Sequence, residues 1–316
     1  MTTADASAWR LVSWAGGDGR PHAGVLAGGL IAPTAAILGD GCGSVLAILQ
    51  AWDDLHPRLV RAVADGAVAA SGVPEASVTR LAPVLHPGAV FCAGANYGDH
   101  LEEMAKLGGA AGPPARPAEP WFFLKTARGS IVGDGAEVRL PGFSQAVDWE
   151  AELGVVIARP SRNVSERDAL AAVAGYLIVN DLSARDLMKR RDAPEGSPFA
   201  YDWVGQKCFD GCAPMGPALT PAAQVADPQS LGIRLWINGV LKQDSNTAQM
   251  VHGIAAQIAW LSRRVTLQPG DVIATGTPAG VGLPRGEFLK PGDEVRIEIE
   301  ELGVLVNRMT SDEPSP

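Results

Sequence analysis

Glu150 and Glu152 stand two residues apart in DWEAELGVVIA, and a third acid, Asp181, follows a second apolar run in AGYLIVNDLSARD. In an extended segment, side chains two apart leave the same face. A strand over 149–158 would therefore point both glutamates one way and Ala151, Leu153, Val155 and Ile157 the other. Like charges held side by side are costly unless something positive lies between them. An oxygen-only, acid-rich set suits a hard divalent cation such as Mg²⁺, which keeps coordination positions open for water and substrate oxygens. The runs GVVIA and GYLIV place these acids at the ends of buried strands rather than on a solvated face.

A second pair of residues could move protons. In NYGDHLEEMAKL, His100 and Glu103 are spaced i, i+3, so a helix there sets them on one face. A carboxylate that holds one imidazole nitrogen fixes the tautomer and leaves the other nitrogen as a base. Lys207, in WVGQKCFDGCAPMGP, and Arg185, four residues after Asp181, could hold oxyanions. The apolar run DVIA ends in Thr275, Gly276, Thr277 and Pro278, a turn whose amides and hydroxyls can cradle a carboxylate. It lacks the Lys-Ser/Thr ending of a P-loop.

These residues need a scaffold. From residue 85 onward the chain reads as short strands divided by Gly, Pro and Asp: AVFCAGA, WFFLK, EVRLP, ELGVVIA, GYLIVND, SLGIRLWING, DVIATGTP and EVRIEIEELGVLVN. Three helical stretches interrupt them, at 98–107, 166–174 and 247–263. Many strands and few helices predict a β-rich α+β fold with stacked or rolled sheets, not a doubly wound parallel sheet. Residues 1–80 read as a small α+β domain of two apolar runs and a helical segment, and 85–316 as the catalytic domain. The Gly/Pro-rich segment 108–120 has the composition of either a disordered loop or a functional lid.

Composition removes several classes. A net charge of -9, with no basic cluster beyond Lys189-Arg190-Arg191, argues against nucleic-acid binding. No apolar run reaches the length of a membrane span, and MTTADASAWR lacks a signal-peptide pattern, so a cytoplasmic location is the default expectation. Cys42, Cys92, Cys208 and Cys212 suggest neither a disulfide framework nor a zinc site.

Together, the NYGDH-LEE segment, FFLK, VDWEAELGVVI, GYLIVNDLSARD, GQKCFDGCAPMGP, LQPGDVIATGTPAGVG and LKPGDEVRIEIEELGVLVN resemble the fumarylacetoacetate hydrolase family over residues 88–309. The resemblance implies a mixed β-sandwich roll, a homodimer, and Mg²⁺ or Mn²⁺ held by Glu150, Glu152 and Asp181. It also implies His100 and Glu103 as the water-activating pair and Lys207 as the oxyanion-stabilising group. Arg185 and Thr277, with Gly276 and Tyr97 beside them, would contact substrate. One departure is visible: Met188 stands where many members carry Gln.

The expected activity is metal-dependent C–C bond hydrolysis of a β-diketo acid of the acylpyruvate kind, releasing pyruvate and a carboxylic acid. The alternatives are isomerisation or tautomerisation of an unsaturated 2-oxo acid, decarboxylation of oxaloacetate, and a catalytically silent metal-dependent binding protein. The intact His100–Glu103 pair speaks against the silent protein.

Overall fold

The computed structural model describes residues 8–109, 115–190, 192–194, 196–197 and 199–311. Its centre is the antiparallel pair Ala151–Ile157 and Val173–Asn180, AELGVVI against VAGYLIVN, every residue of which is buried. Runs this apolar can only sit in a sheet covered on both faces.

Side-chain alternation assigns the two faces. Leu153, Val155, Ile157, Tyr176 and Ile178 pack against Ile233, Leu235, Ile297 and Leu305 of a five-stranded sheet. Val156, Leu177 and Val179 pack on the other side with Leu11, Val25, Leu49 and Leu59. A strand-rich α+β architecture of packed sheets is the fold class expected from the strand pattern.

The central pair is extended on one side by Val272–Ala274, Val90–Gly94 and the edge strand Trp121–Lys125. On the other side it is extended by Ala213–Pro221 and then by the N-terminal strands Arg10–Ala15, Pro21–Ala27 and Leu30–Pro33. Leu11 pairs with Leu219, so the first 80 residues and the segment after 85 share one sheet.

The helix Gly98–Leu107 has the expected bounds. The helical stretch expected at 166–174 is shorter, Glu166–Ala169 followed by a 3₁₀ turn, because Val173 and Ala174 already belong to the central strand. The stretch expected at 247–263 is helical only as a 3₁₀ turn at Thr247–Gln249 and as Ile254–Ser262. Between them, Asn96 captures the backbone: its Oδ1 accepts from His252 N (2.9 Å), its Nδ2 donates to His252 O (3.1 Å), and its own carbonyl accepts from Val251 N (2.7 Å). Of the segment read as a lid, 110–114 lies outside the described residues. Its far side is fastened where Trp260 Nε1 donates to Glu119 (2.9 Å).

Candidate metal centre and proton-transfer pair

Antiparallel register brings the three acids together. Ala151 pairs with Asn180, so the next position out sets Glu150 opposite Asp181, and Asp181 N donates to Glu150 O at 2.9 Å. Glu152 lies two residues along the same face, and all three carboxylates are buried. One oxygen from each falls within 4.8 Å of the others.

Three cations surround them. Lys207 ends the short helix Trp203–Lys207, and its Nζ donates to Glu150 Oε2 (2.8 Å) and Asp181 Oδ2 (2.9 Å). Arg185 reaches Glu150 through Nη2 and Asp148 Oδ2 through Nε (3.0 Å). Lys125 Nζ lies 2.8 Å from Asp181 Oδ1. Burial alone would push Glu150 up, but the charges of Lys207 and Arg185 hold it well below the usual carboxylate range. Burial likewise disfavours the Lys207 ammonium, yet Asp181 and Glu150 outweigh it and raise its pKa.

Glu152 differs. Its Oε2 accepts from Gly276 N (2.8 Å), and burial together with Asp181 and Glu150 drives its pKa well above the ordinary value. Asp148, Glu150, Glu152 and Asp181 thus make four buried carboxylates against the three cations Lys125, Arg185 and Lys207. The cluster is short of positive charge at Glu152. An all-oxygen donor set with that deficit fits a divalent cation held by Glu150, Glu152 and Asp181.

His100 and Glu103 occupy one face of their helix, with Nδ1 3.5 Å from Glu103 Oε2. That is too long for a strong hydrogen bond. Glu103 is fixed from outside the helix by Gly280 N (3.0 and 3.1 Å to its two oxygens). Against burial, which would raise it, the His100 contact and the Gly280 amide lower the Glu103 pKa. The helix is docked by Asp99, which accepts from Ser245 Oγ (2.6 Å).

Of the four expected substrate contacts, Arg185, Gly276 and Thr277 make hydrogen bonds within the site. Arg185 spends its guanidinium on Asp148 and Glu150. The Gly276 amide holds Glu152, and Thr277 Oγ1 donates to Ala151 O (2.9 Å) while accepting from Gln243 Nε2 (2.9 Å). Tyr97 is fully buried, and its hydroxyl has no hydrogen-bond partner among the described residues. These groups frame the acids.

Two members of the cluster were absent from the residues singled out by sequence, Asp148 and Lys125. Asp148 continues the two-residue spacing of Glu150 and Glu152, which was the available signal. Lys125 closes the apolar strand WFFLK, where a terminal lysine reads as a solvated rim.

The fumarylacetoacetate (FAA) hydrolase C-terminal family pattern matches residues 89–310. Human "Oxaloacetate tautomerase FAHD2B, mitochondrial" is 47% identical over 239 residues, 75% of this chain and 71% of that protein. Among solved structures, 2-hydroxyhepta-2,4-diene-1,7-dioate isomerase from Mycobacterium marinum superposes with a TM-score of 0.70 at 31% identity, covering 96% of this chain and 99% of that one. Maleylpyruvate hydrolase from Sphingobium sp. SYK-6, in complex with manganese (II) ion and pyruvate, superposes with a TM-score of 0.74 at 29% identity, covering 96% of this chain and all of that one.

The fold and the acid cluster define an enzyme family, and this chain belongs to it: it is a member of the fumarylacetoacetate hydrolase family. The expectation of a cytoplasmic location is overturned, because the human relative is named as mitochondrial. Among the described residues, no helix is long and apolar enough to cross a membrane.

Proposed function

We propose that the protein is a divalent-cation-dependent tautomerase of a small 2-oxo acid, with oxaloacetate as substrate and Mg²⁺ or Mn²⁺ as the cation. The observation that carries the reading is the likeness to the human oxaloacetate tautomerase, 47% identical over 239 residues or three quarters of the chain; the buried acid cluster and the His100–Glu103 pair of this chain supply groups that such a reaction uses. It replaces the acylpyruvate hydrolase expected from sequence.

Tautomerisation moves one proton between C3 and the 2-keto oxygen and needs no water. Glu150, Glu152 and Asp181 would hold the divalent cation, which when bound would supply Lewis-acid polarisation of the keto oxygen. His100 takes the proton from C3 and delivers it to the 2-oxygen to give the enol, and runs both transfers backwards in ketonisation, with Glu103 holding the ring in orientation. Lys207 adds a buried positive charge beside the oxygen that becomes anionic, and charge stabilisation of this kind is commonly the largest catalytic contribution. Arg185, Gly276 and Thr277 hold the ligand strand and its carboxylates in place.

The hydrolase reading has one observation in its favour, the superposition on maleylpyruvate hydrolase. Product analysis separates the two. Oxaloacetate and a series of acylpyruvates are incubated with enzyme and Mn²⁺, and pyruvate is quantified. The tautomerase reading expects no pyruvate beyond the enzyme-free blank; rapid release from an acylpyruvate would overturn it. The homodimer stays a proposal, supported by the exposed Trp121 and Trp203, whose rings lie 5.0 Å apart beside the edge strand.

A further inference from the structure

Lys125 is the last residue of the edge strand Trp121–Lys125, and its side chain is wholly buried. Burying an ammonium is costly unless oxygens replace its water. Here four do. Nζ donates to the carbonyls of Leu182 (2.8 Å), Lys207 (2.9 Å) and Cys212 (3.0 Å), and Asp181 Oδ1 lies 2.8 Å away.

An ammonium has three protons, so four oxygen neighbours make Lys125 a fixed charge at the centre of a cage rather than a donor to one partner. Two of those oxygens belong to the proposed site. One is a carboxylate oxygen of Asp181, whose other oxygen is held by Lys207 Nζ. The second is the main-chain carbonyl of Lys207 itself, which also accepts from Cys212 Sγ (3.0 Å). Strand alternation adds a third link: Phe123, on the same face as Lys125, lies under the Lys207 ammonium at 4.6 Å from the ring centroid. A single edge strand thus reaches the acid ligand at one point and both ends of Lys207 at two.

We propose that Lys125 is a positioning residue that sets the metal-ligating carboxylate of Asp181 and the ammonium of Lys207 together, so that metal affinity and turnover depend on one buried cation. The inference rests on the function proposed above. Its rival is a counter-ion that serves stability alone.

The test uses the full-length protein with Lys125→Met and Lys125→Ala, each checked by circular dichroism and thermal melting. Mn²⁺ affinity is measured directly by electron paramagnetic resonance, with no turnover required. Removing a partner that orients a metal ligand costs about 10–100-fold in metal affinity or activity, and a weakening of Mn²⁺ binding in that range is expected in both variants. At saturating Mn²⁺, kcat for oxaloacetate should stay reduced by roughly 10-fold while KM moves by less than about 3-fold, since Lys207 acts on the transition state. Lys125→Ala combined with Lys207→Ala should be no slower than Lys207→Ala alone, the non-additivity expected of residues acting as a unit. Ethylammonium should restore Mn²⁺ affinity to Lys125→Ala, and neutral ethanol should not.

Wild-type Mn²⁺ affinity in a folded Lys125→Met variant would overturn the proposal. So would additive loss in the double variant, or failure of both variants to fold even with ethylammonium present. If the wild type binds Mn²⁺ and the variants bind it weakly while none turns over oxaloacetate, Lys125 positions the metal ligand and the tautomerase reading alone falls.

Discussion

Glu150 and Asp181, thirty-one positions apart in sequence, face each other across an antiparallel pair, with the Asp181 amide donating to the Glu150 carbonyl at 2.9 Å. The bond continues the antiparallel register, Ala151 against Asn180, that makes three separate acids a single cluster. A one-residue slip would send Asp181 to the opposite face of the sheet, into the core with Ile178 and Tyr176.

Among the described residues Glu152 makes no ion pair and its carboxylate is held by the Gly276 amide, so its neutral isostere has opposite effects with and without metal. Glu152→Gln should relieve like-charge repulsion and raise the melting temperature of the metal-free protein by roughly 2–4 °C, the shift that about 1 kcal/mol produces in a domain of this size. The same variant should lose the stabilisation that Mn²⁺ gives the wild type. Thermal melts with and without Mn²⁺ check both, and a variant that still gained stability from Mn²⁺ would remove Glu152 from the ligand set.

His100 is expected to carry protons without holding metal. His100→Ala should lower kcat by about 10²–10⁴-fold, the usual contribution of a general acid or base, with Mn²⁺ affinity near wild type. Glu103→Gln should lose less, because the Gly280 amide still orients the side chain. Unchanged turnover in both variants would place proton transfer elsewhere.

Gly276 adopts φ +100°, and a Cβ built there would lie 2.8 Å from Asn96 Cβ. Gly276→Ala should therefore destabilise the fold by at least ~1–3 kcal/mol through backbone strain alone. Its amide holds Glu152, so metal affinity should fall in parallel. A chemical denaturation midpoint equal to wild type would show that the Thr275–Thr277 turn adapts at no cost.

Arg185→Lys keeps a positive charge but not the fork that spans Asp148 and Glu150. Mn²⁺ binding by calorimetry should weaken, and Arg185→Lys should recover little compared with Arg185→Ala. Near-complete recovery by lysine would mean that charge, and not the planar two-point grip, is what Glu150 requires.

The parts of this site that follow periodicity were legible in the sequence. Two-residue spacing put Glu150 and Glu152 on one face, and three-residue spacing paired His100 with Glu103. What periodicity cannot carry is which strand pairs with which, so the cage around Lys125 depends on Leu182, Lys207 and Cys212, which no local pattern connects. Arg185 and Gly276 bond the acids directly and Thr277 bonds the ligand strand, and a sequence does not say whether such a donor faces substrate or a neighbouring carboxylate. The helix expected at 247–263 failed for a similar reason: Asn96, about 150 residues earlier, takes up the backbone of His252.

The central claim is that this cluster accelerates interconversion of a 2-oxo acid and its enol. The most direct measurement follows loss of enol absorbance from freshly dissolved oxaloacetate, with and without enzyme, at fixed Mn²⁺. The account predicts ketonisation faster than in the Mn²⁺ blank, return to the blank rate with EDTA, the same loss in Glu150→Ala, and no excess pyruvate. Ketonisation at the blank rate with enzyme and Mn²⁺ both present would contradict it.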